Sequence, residues 1–131
     1  MTAVPFKIIF ASKTTSWDIV KARQAGTTII NDQQGWEAYW NNIPELKGER
    51  IPFIDFDKHT VCFYALGKMP STTSLVEPIE VNEENGKIEI KIRYEEEAFC
   101  TLSSPAILLK LEKKIEPQNI LVHGIEVHDE H

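Results

Sequence analysis

Asp55, Asp57 and His59 alternate along the chain, so an extended segment would project all three to one side and offer oxygen and nitrogen ligands to a metal ion. Three polar residues entering an apolar strand read better as a solvated turn, so no metal site is expected there. Cys100, Thr101, Ser103 and Ser104 form a second set, rich in nucleophiles, just before Pro105. A catalytic role needs a base within hydrogen-bond reach, and no spacing nominates one. His123 and His128 stand five positions apart, which is opposite faces of a continuous strand; only a kink at Gly124 would bring them together. Cys62 and Cys100 are 38 residues apart and match neither a CxxC redox pair nor a zinc spacing. They read as reduced core thiols, with a disulfide as the alternative. The chain has no glycine-rich phosphate loop, no GxSxG and no HExxH. A non-enzymatic protein without a cofactor is therefore expected.

The elements that would position these residues follow from hydrophobic period. Val4 to Phe10 alternates as a strand, although Ile9 breaks the alternation, and Ile19 to Arg23 and Thr27 to Asn31 read as two more strands. The period then changes. Trp36, Tyr39, Trp40 and Ile43 fall at i, i+3, i+4 and i+7, one face of a helix over about 32–43, with Asp32 as N-cap and Pro44 as stop. Residues 44–59 read as a polar connection. Val61 to Leu66 is apolar on both faces, which predicts a central strand covered on both sides and ended by Gly67.

Asn85-Gly86 supplies the residues of a type I′ hairpin turn. With Glu84 opposite Lys87, the register sets Val81 against Ile90 and Ile79 against Ile92 on one face. Glu80 against Lys91 and Asn82 against Glu89 then share the other face, so turn chemistry and pattern agree. Ile107 to Leu111 and Ile120 to Val127 complete seven or eight strands, the last interrupted at Gly124. Strand and helix do not alternate, so a parallel doubly wound sheet is excluded. A mainly β architecture is expected, an antiparallel β-sandwich or curved sheet with one amphipathic helix.

The 131 residues make one domain, 42% apolar and 26% charged, with the balance of a soluble globular chain. Twenty acidic against fourteen basic residues give a net charge of −6, which repels phosphate backbones and argues against nucleic acid as a partner. No apolar run reaches the ~18 residues of a transmembrane helix, and no export signal is written at the N-terminus. A cytoplasmic location is the expectation from the sequence as it stands.

Ile51-Pro52-Phe53-Ile54-Asp55-Phe56-Asp57-Lys58, the strand after it and Leu66-Gly67-Lys68-Met69-Pro70-Ser71-Thr72-Thr73-Ser74 carry a family likeness, joined by Trp36, Trp40 and Ser104-Pro105. Over about 36–113 the chain resembles the PrcB-type domain, a family named for an accessory subunit of a bacterial surface protease complex. Members carry glycine, two variable residues, proline, threonine, two glycines, tyrosine and serine after that strand. This chain keeps Gly67, Pro70 and Ser74 but has Ser71-Thr72-Thr73 where threonine and the paired glycines fall. Threonines resist the positive φ that paired glycines permit. The family loop also looks like the inhibitory loop of chagasin-like cysteine protease inhibitors, small β-sandwiches that insert loops into a protease cleft. The resemblance implies export in bacteria where a leader has been trimmed.

The expected function is therefore a protein-interaction domain, protease-associated, whose partner meets the loop 69–74. Met69, Pro70 and Leu75 would be its apolar contacts, and Ser71, Thr72, Thr73 and Ser74 its adaptable hydrogen-bonding groups. The alternative is a small-ligand or lipid pocket between helix and sheet, lined by Trp36, Tyr39 and Trp40.

Overall fold

The computed structural model describes residues 2–14, 17–69, 72–98 and 102–127. Among these residues eight strands form two four-stranded sheets, and a helix covers the outer face of one of them. The chain begins as β1 (Thr2–Ala3), which pairs with β5 (Thr72–Glu84) through Thr2–Glu83 and Ala3–Asn82. Pro5 has no N–H to give to a ladder, and there the chain leaves the first sheet and enters the second as β2 (Phe6–Thr14). The broken alternation at Ile9 is a β-bulge. Ile8 pairs with Leu109 and Phe10 with Leu108, leaving Ile9 as the extra residue. Because one added residue reverses the facing of everything after it, Phe6 packs between the sheets whereas Phe10 packs under the helix.

The segment expected as a strand at Ile19 to Arg23 is instead a short helix, α1 (Trp17–Ala22), closed by Arg23 N–H donating to Ile19 O at 2.8 Å. Five residues are too few to separate a period of 2 from one of 3.6, and the β-branched Ile19-Val20 favoured the wrong one. Asp18 in the first turn suits the helix dipole. The fold thus has two α-helices among the described residues, not one. After β3 (Gly26–Ile30) comes α2 (Gln33–Asn41), whose N-cap Asp32 accepts from Gly35 N–H at 2.7 Å as its sequence anticipates. A 3₁₀ turn at Pro44–Leu46 follows it.

β4 (Thr60–Ala65) lies between β3 and β7 (Ser104–Leu111), and it is covered on both sides. Val61, Phe63 and Ala65 face α2, while Cys62 and Tyr64 face the other sheet. β7 divides its side chains in the same way, Ala106 and Leu108 to the helix and Ile107, Leu109 and Leu111 to the sandwich interior. Two cores result, one on each face of the sheet β2-β7-β4-β3.

The hairpin of β5 and β6 (Lys87–Ala98) turns at Asn85 and Gly86, with φ of 54° and 79° as a type I′ turn requires. Its register runs as expected from Glu84–Lys87 to Glu80–Lys91. It then shifts, and Val76 meets Arg93, so the expected Ile79–Ile92 pair falls in an irregularity around Pro78, which cannot donate to the ladder. β8 (Ile120–Glu126) runs beside β6 in parallel, from Ile88–Ile120 to Tyr94–Glu126. This parallel pair departs from the antiparallel expectation. It arises because the chain passes from β6 through β7 in the other sheet before it returns.

β8 is not interrupted at Gly124, which pairs with Ile92 in the unbroken ladder. The glycine answers a steric need, since a β-carbon there would run into the Tyr64 hydroxyl and stand 3.2 Å from Leu66 Cδ2. Gly124→Val is expected to cost ~1–3 kcal/mol by overpacking. Thermal unfolding would check it, and an unchanged midpoint would mean that Tyr64 yields without cost.

Candidate functional site

The residues expected to form the 69–74 loop are split between two environments. Met69 forms an isolated antiparallel bridge with Ser103, its N–H donating to Ser103 O at 2.8 Å and its carbonyl accepting from Ser103 N–H at 3.2 Å. Pro70 and Ser71 lie outside the described residues. Thr72 to Leu75 are the first residues of β5, paired across to β6 from Ala98 to Tyr94, and so belong to a strand and not to a loop. Thr73 is fully buried, and its N–H donates to Ser103 Oγ at 3.1 Å. A buried threonine fixed in this way offers no adaptable contact to a partner. Ser74 and Leu75 are half-buried, and Leu75 packs into the sandwich interior.

What the structure brings together is one end of the sandwich. The chain crosses from β4 to β5 and from β6 back to β7 at this end, and the Met69–Ser103 bridge ties the two crossings side by side. Leu102, next to the bridge, is 37% exposed. It was not among the expected contacts, because only the bridge brings its segment to the one that holds Met69.

The aromatic residues of α2 also divide. Trp36 and Trp40 are buried edge to face, with centroids 5.4 Å apart. Their indole N–H groups donate to Pro52 O at 2.9 Å and Glu49 O at 3.1 Å, and so bind the long connection 44–59 to the helix. Both pack in the core beneath the helix, and neither lines the cleft that Tyr39 faces. Tyr39 lines a cleft of about 520 Å³ between α1, the start of β3 and α2. Its ring meets Phe63 edge to face at 5.2 Å, and its hydroxyl is 3.5 Å from Thr28 Oγ1. Burial, only partly offset by Thr28, pushes the phenol above its ordinary value.

Beside Tyr39 the cleft is bounded by Arg23, which sequence reading assigned to a strand without a role. Its guanidinium makes a two-pronged ion pair with Glu45 and donates to Ser104 O at 3.4 Å; Ser12 Oγ donates to the same carboxylate at 2.5 Å. Burial raises the Glu45 carboxyl, but the hydrogen bonds from Arg23 and Ser12 outweigh it and hold the group below the usual range. Asp18 lies early in α1 and Arg23 just after it, so a helical reading of this stretch would have been the signal to look here.

The other candidates are placed as follows. Asp55 closes a turn, its carboxylate accepting from Asp57 N–H at 3.1 Å and its carbonyl accepting from the His59 N–H at 3.0 Å. Both ring nitrogens of His59 meet oxygen, Nδ1 at 3.1 Å from Asp55 O and Nε2 at 2.6 Å from Glu112 Oε2. No group of three potential ligands is arranged for a metal among the described residues. Ser103 and Ser104 are fully buried, and Cys62 is a buried free thiol that desolvation pushes up to about 12. A thiol held protonated in a core is a poor nucleophile. Cys100, Thr101 and His128 fall outside the described residues, and His123 Nε2 is 3.5 Å from Glu89. Among the described residues no helix is long and apolar enough to cross a membrane. No family model, curated protein or solved structure matches the chain.

Proposed function

We propose that this domain is a non-enzymatic interaction module that docks another protein on the end of the sandwich where the two sheets exchange strands. The observation that carries the reading is the Met69–Ser103 bridge. It clamps two adjacent connections together, with the exposed Leu102 next to the bridged Ser103; binding residues favour such settings. Burial of Ser103 and Ser104 supports binding over catalysis at this end. A protease is the partner class that follows from the PrcB-type resemblance.

The contact set differs from the one expected from sequence. Met69, Pro70, Ser71 and Leu102 would make it, while Thr73 supports it from within. Replacing 69–74 wholesale would therefore remove a buried strand residue and read folding as well as binding.

A photo-crosslinking phenylalanine analogue at position 102 is the cleaner test, with position 85 as control. The two lie at opposite ends of β5, ~40 Å apart at the usual rise per residue. One discrete adduct from position 102 in extract of the source organism, absent from position 85, is expected. Leu102→Lys should weaken capture of that protein by roughly tenfold, ~1.4 kcal/mol. The same adducts from both positions, or none from either, would sink the reading.

A further inference from the structure

We infer that the cleft between α1, β3 and α2 binds a small, uncharged, largely apolar molecule that carries a hydrogen-bond acceptor. Its volume of about 520 Å³ is that of a ligand site, for which ~300–1,000 Å³ is usual. The floor is Phe63 with its cross-strand partner Thr28, both turned toward the helical layer. At the next floor position Gly26 supplies no side chain, and a β-carbon there would meet nothing within 4 Å. The sheet thus leaves open a place that a larger residue would fill.

The walls are apolar at Ile19, Ile43 and Pro44, and polar at Arg23, Tyr39 and Asn42. Charge decides the class of ligand. Among the described lining residues Arg23 is the one that is formally charged, and Glu45 already neutralises it with a two-pronged pair. An anion would have to compete with that carboxylate, and a cation would meet no unpaired negative group in the lining. A neutral molecule disturbs neither.

Hydrogen-bond donors nevertheless remain. Two N–H groups of Arg23 Nη1 and one of Nη2 are engaged, three of the five a guanidinium carries, which leaves two. The Tyr39 hydroxyl donates to Thr28 Oγ1 over 3.5 Å, a long hydrogen bond, so a ligand oxygen set beside the pair would be a better partner for the Tyr39 O–H. The Trp36 and Trp40 indoles, by contrast, are fully committed to Pro52 and Glu49 and take no part.

The probe is 6-propionyl-2-(dimethylamino)naphthalene, a neutral fluorophore with an apolar body and one carbonyl. Its emission is expected to shift to the blue and saturate at one equivalent of the full chain. Thr28→Trp, which fills the floor, should weaken binding at least tenfold, and Asn42→Trp does the same from the opposite wall if the first variant fails to fold by circular dichroism. Tyr39→Phe should weaken binding severalfold without moving the unfolding midpoint. The anionic 1-anilinonaphthalene-8-sulfonate should bind more weakly than the neutral probe. Unsaturable binding, unchanged affinity in a folded Trp variant, or tighter binding of the sulfonate would overturn the assignment.

Discussion

Trp36→Ala is expected to lower the stability of the domain by ~3–5 kcal/mol, the usual cost of truncating a buried tryptophan. Trp36 is 0% exposed and lies between α2 and the sheet, with the edge of Trp40 against it. Its loss empties that space and also strands the Pro52 carbonyl that accepts its N–H at 2.9 Å. For a chain of this length the unfolding midpoint should fall by ~10–20 °C. Trp36→Phe keeps most of the packing but not the donor, so it should cost only the ~1–3 kcal/mol of an unsatisfied carbonyl. Urea denaturation of the three proteins separates the terms, and amide exchange near Pro52 should rise in both variants. A loss below 1 kcal/mol for the alanine variant would show that 44–59 holds to the sheet without the indole.

The same residue shows how far the sequence could be read. The helical stripe of Trp36, Tyr39, Trp40 and Ile43, capped by Asp32, needed only local spacing. The Asn85-Gly86 turn and the two-faced β4 were legible for the same reason, as each is a pattern contained within its own segment. Spacing could not say which aromatic of the stripe is structural and which lines a cleft. That depends on where Pro52, Glu49 and Thr28 lie, and these belong to other segments.

Long-range pairing was hidden in the same way. Nothing local announces that β8 lies parallel to β6, or that Ser103 reaches both Met69 and Thr73. Ser71-Thr72-Thr73-Ser74 was expected in a loop because it stands where the PrcB-type resemblance sets one. Thr73 is nevertheless buried in a strand, since threonine is also β-branched and its N–H has the Ser103 hydroxyl to satisfy it. The α1 helix failed for want of length, and with it went the one signal that would have drawn Arg23 toward Glu45, 22 residues on.

Arg23→Met is expected to destabilise the protein by up to ~3 kcal/mol at neutral pH, because it leaves a half-buried carboxylate with only Ser12 to hold it. The side chains of Arg23 and Glu45 are 8% and 18% exposed, so little water is at hand to replace the guanidinium. Arg23→Met with Glu45→Met removes both charges and should lie closer to the wild type than the single variant does. The pH dependence carries the sign. In the wild type the Glu45 carboxyl is held below its ordinary value, so the pair contributes fully above the unfolded-state value of 4.5 and is lost as pH falls through the lower folded one. In Arg23→Met burial is opposed only by Ser12 and the backbone hydrogen bond, so the carboxyl rises from its wild-type value and that variant loses less as the proton goes on. The stability gap between the two should therefore narrow as pH falls from 7 to 4. Urea midpoints at both pH values measure it, and a gap that stays constant would mean that Glu45 is hydrated in the variant and that the pair is a surface contact.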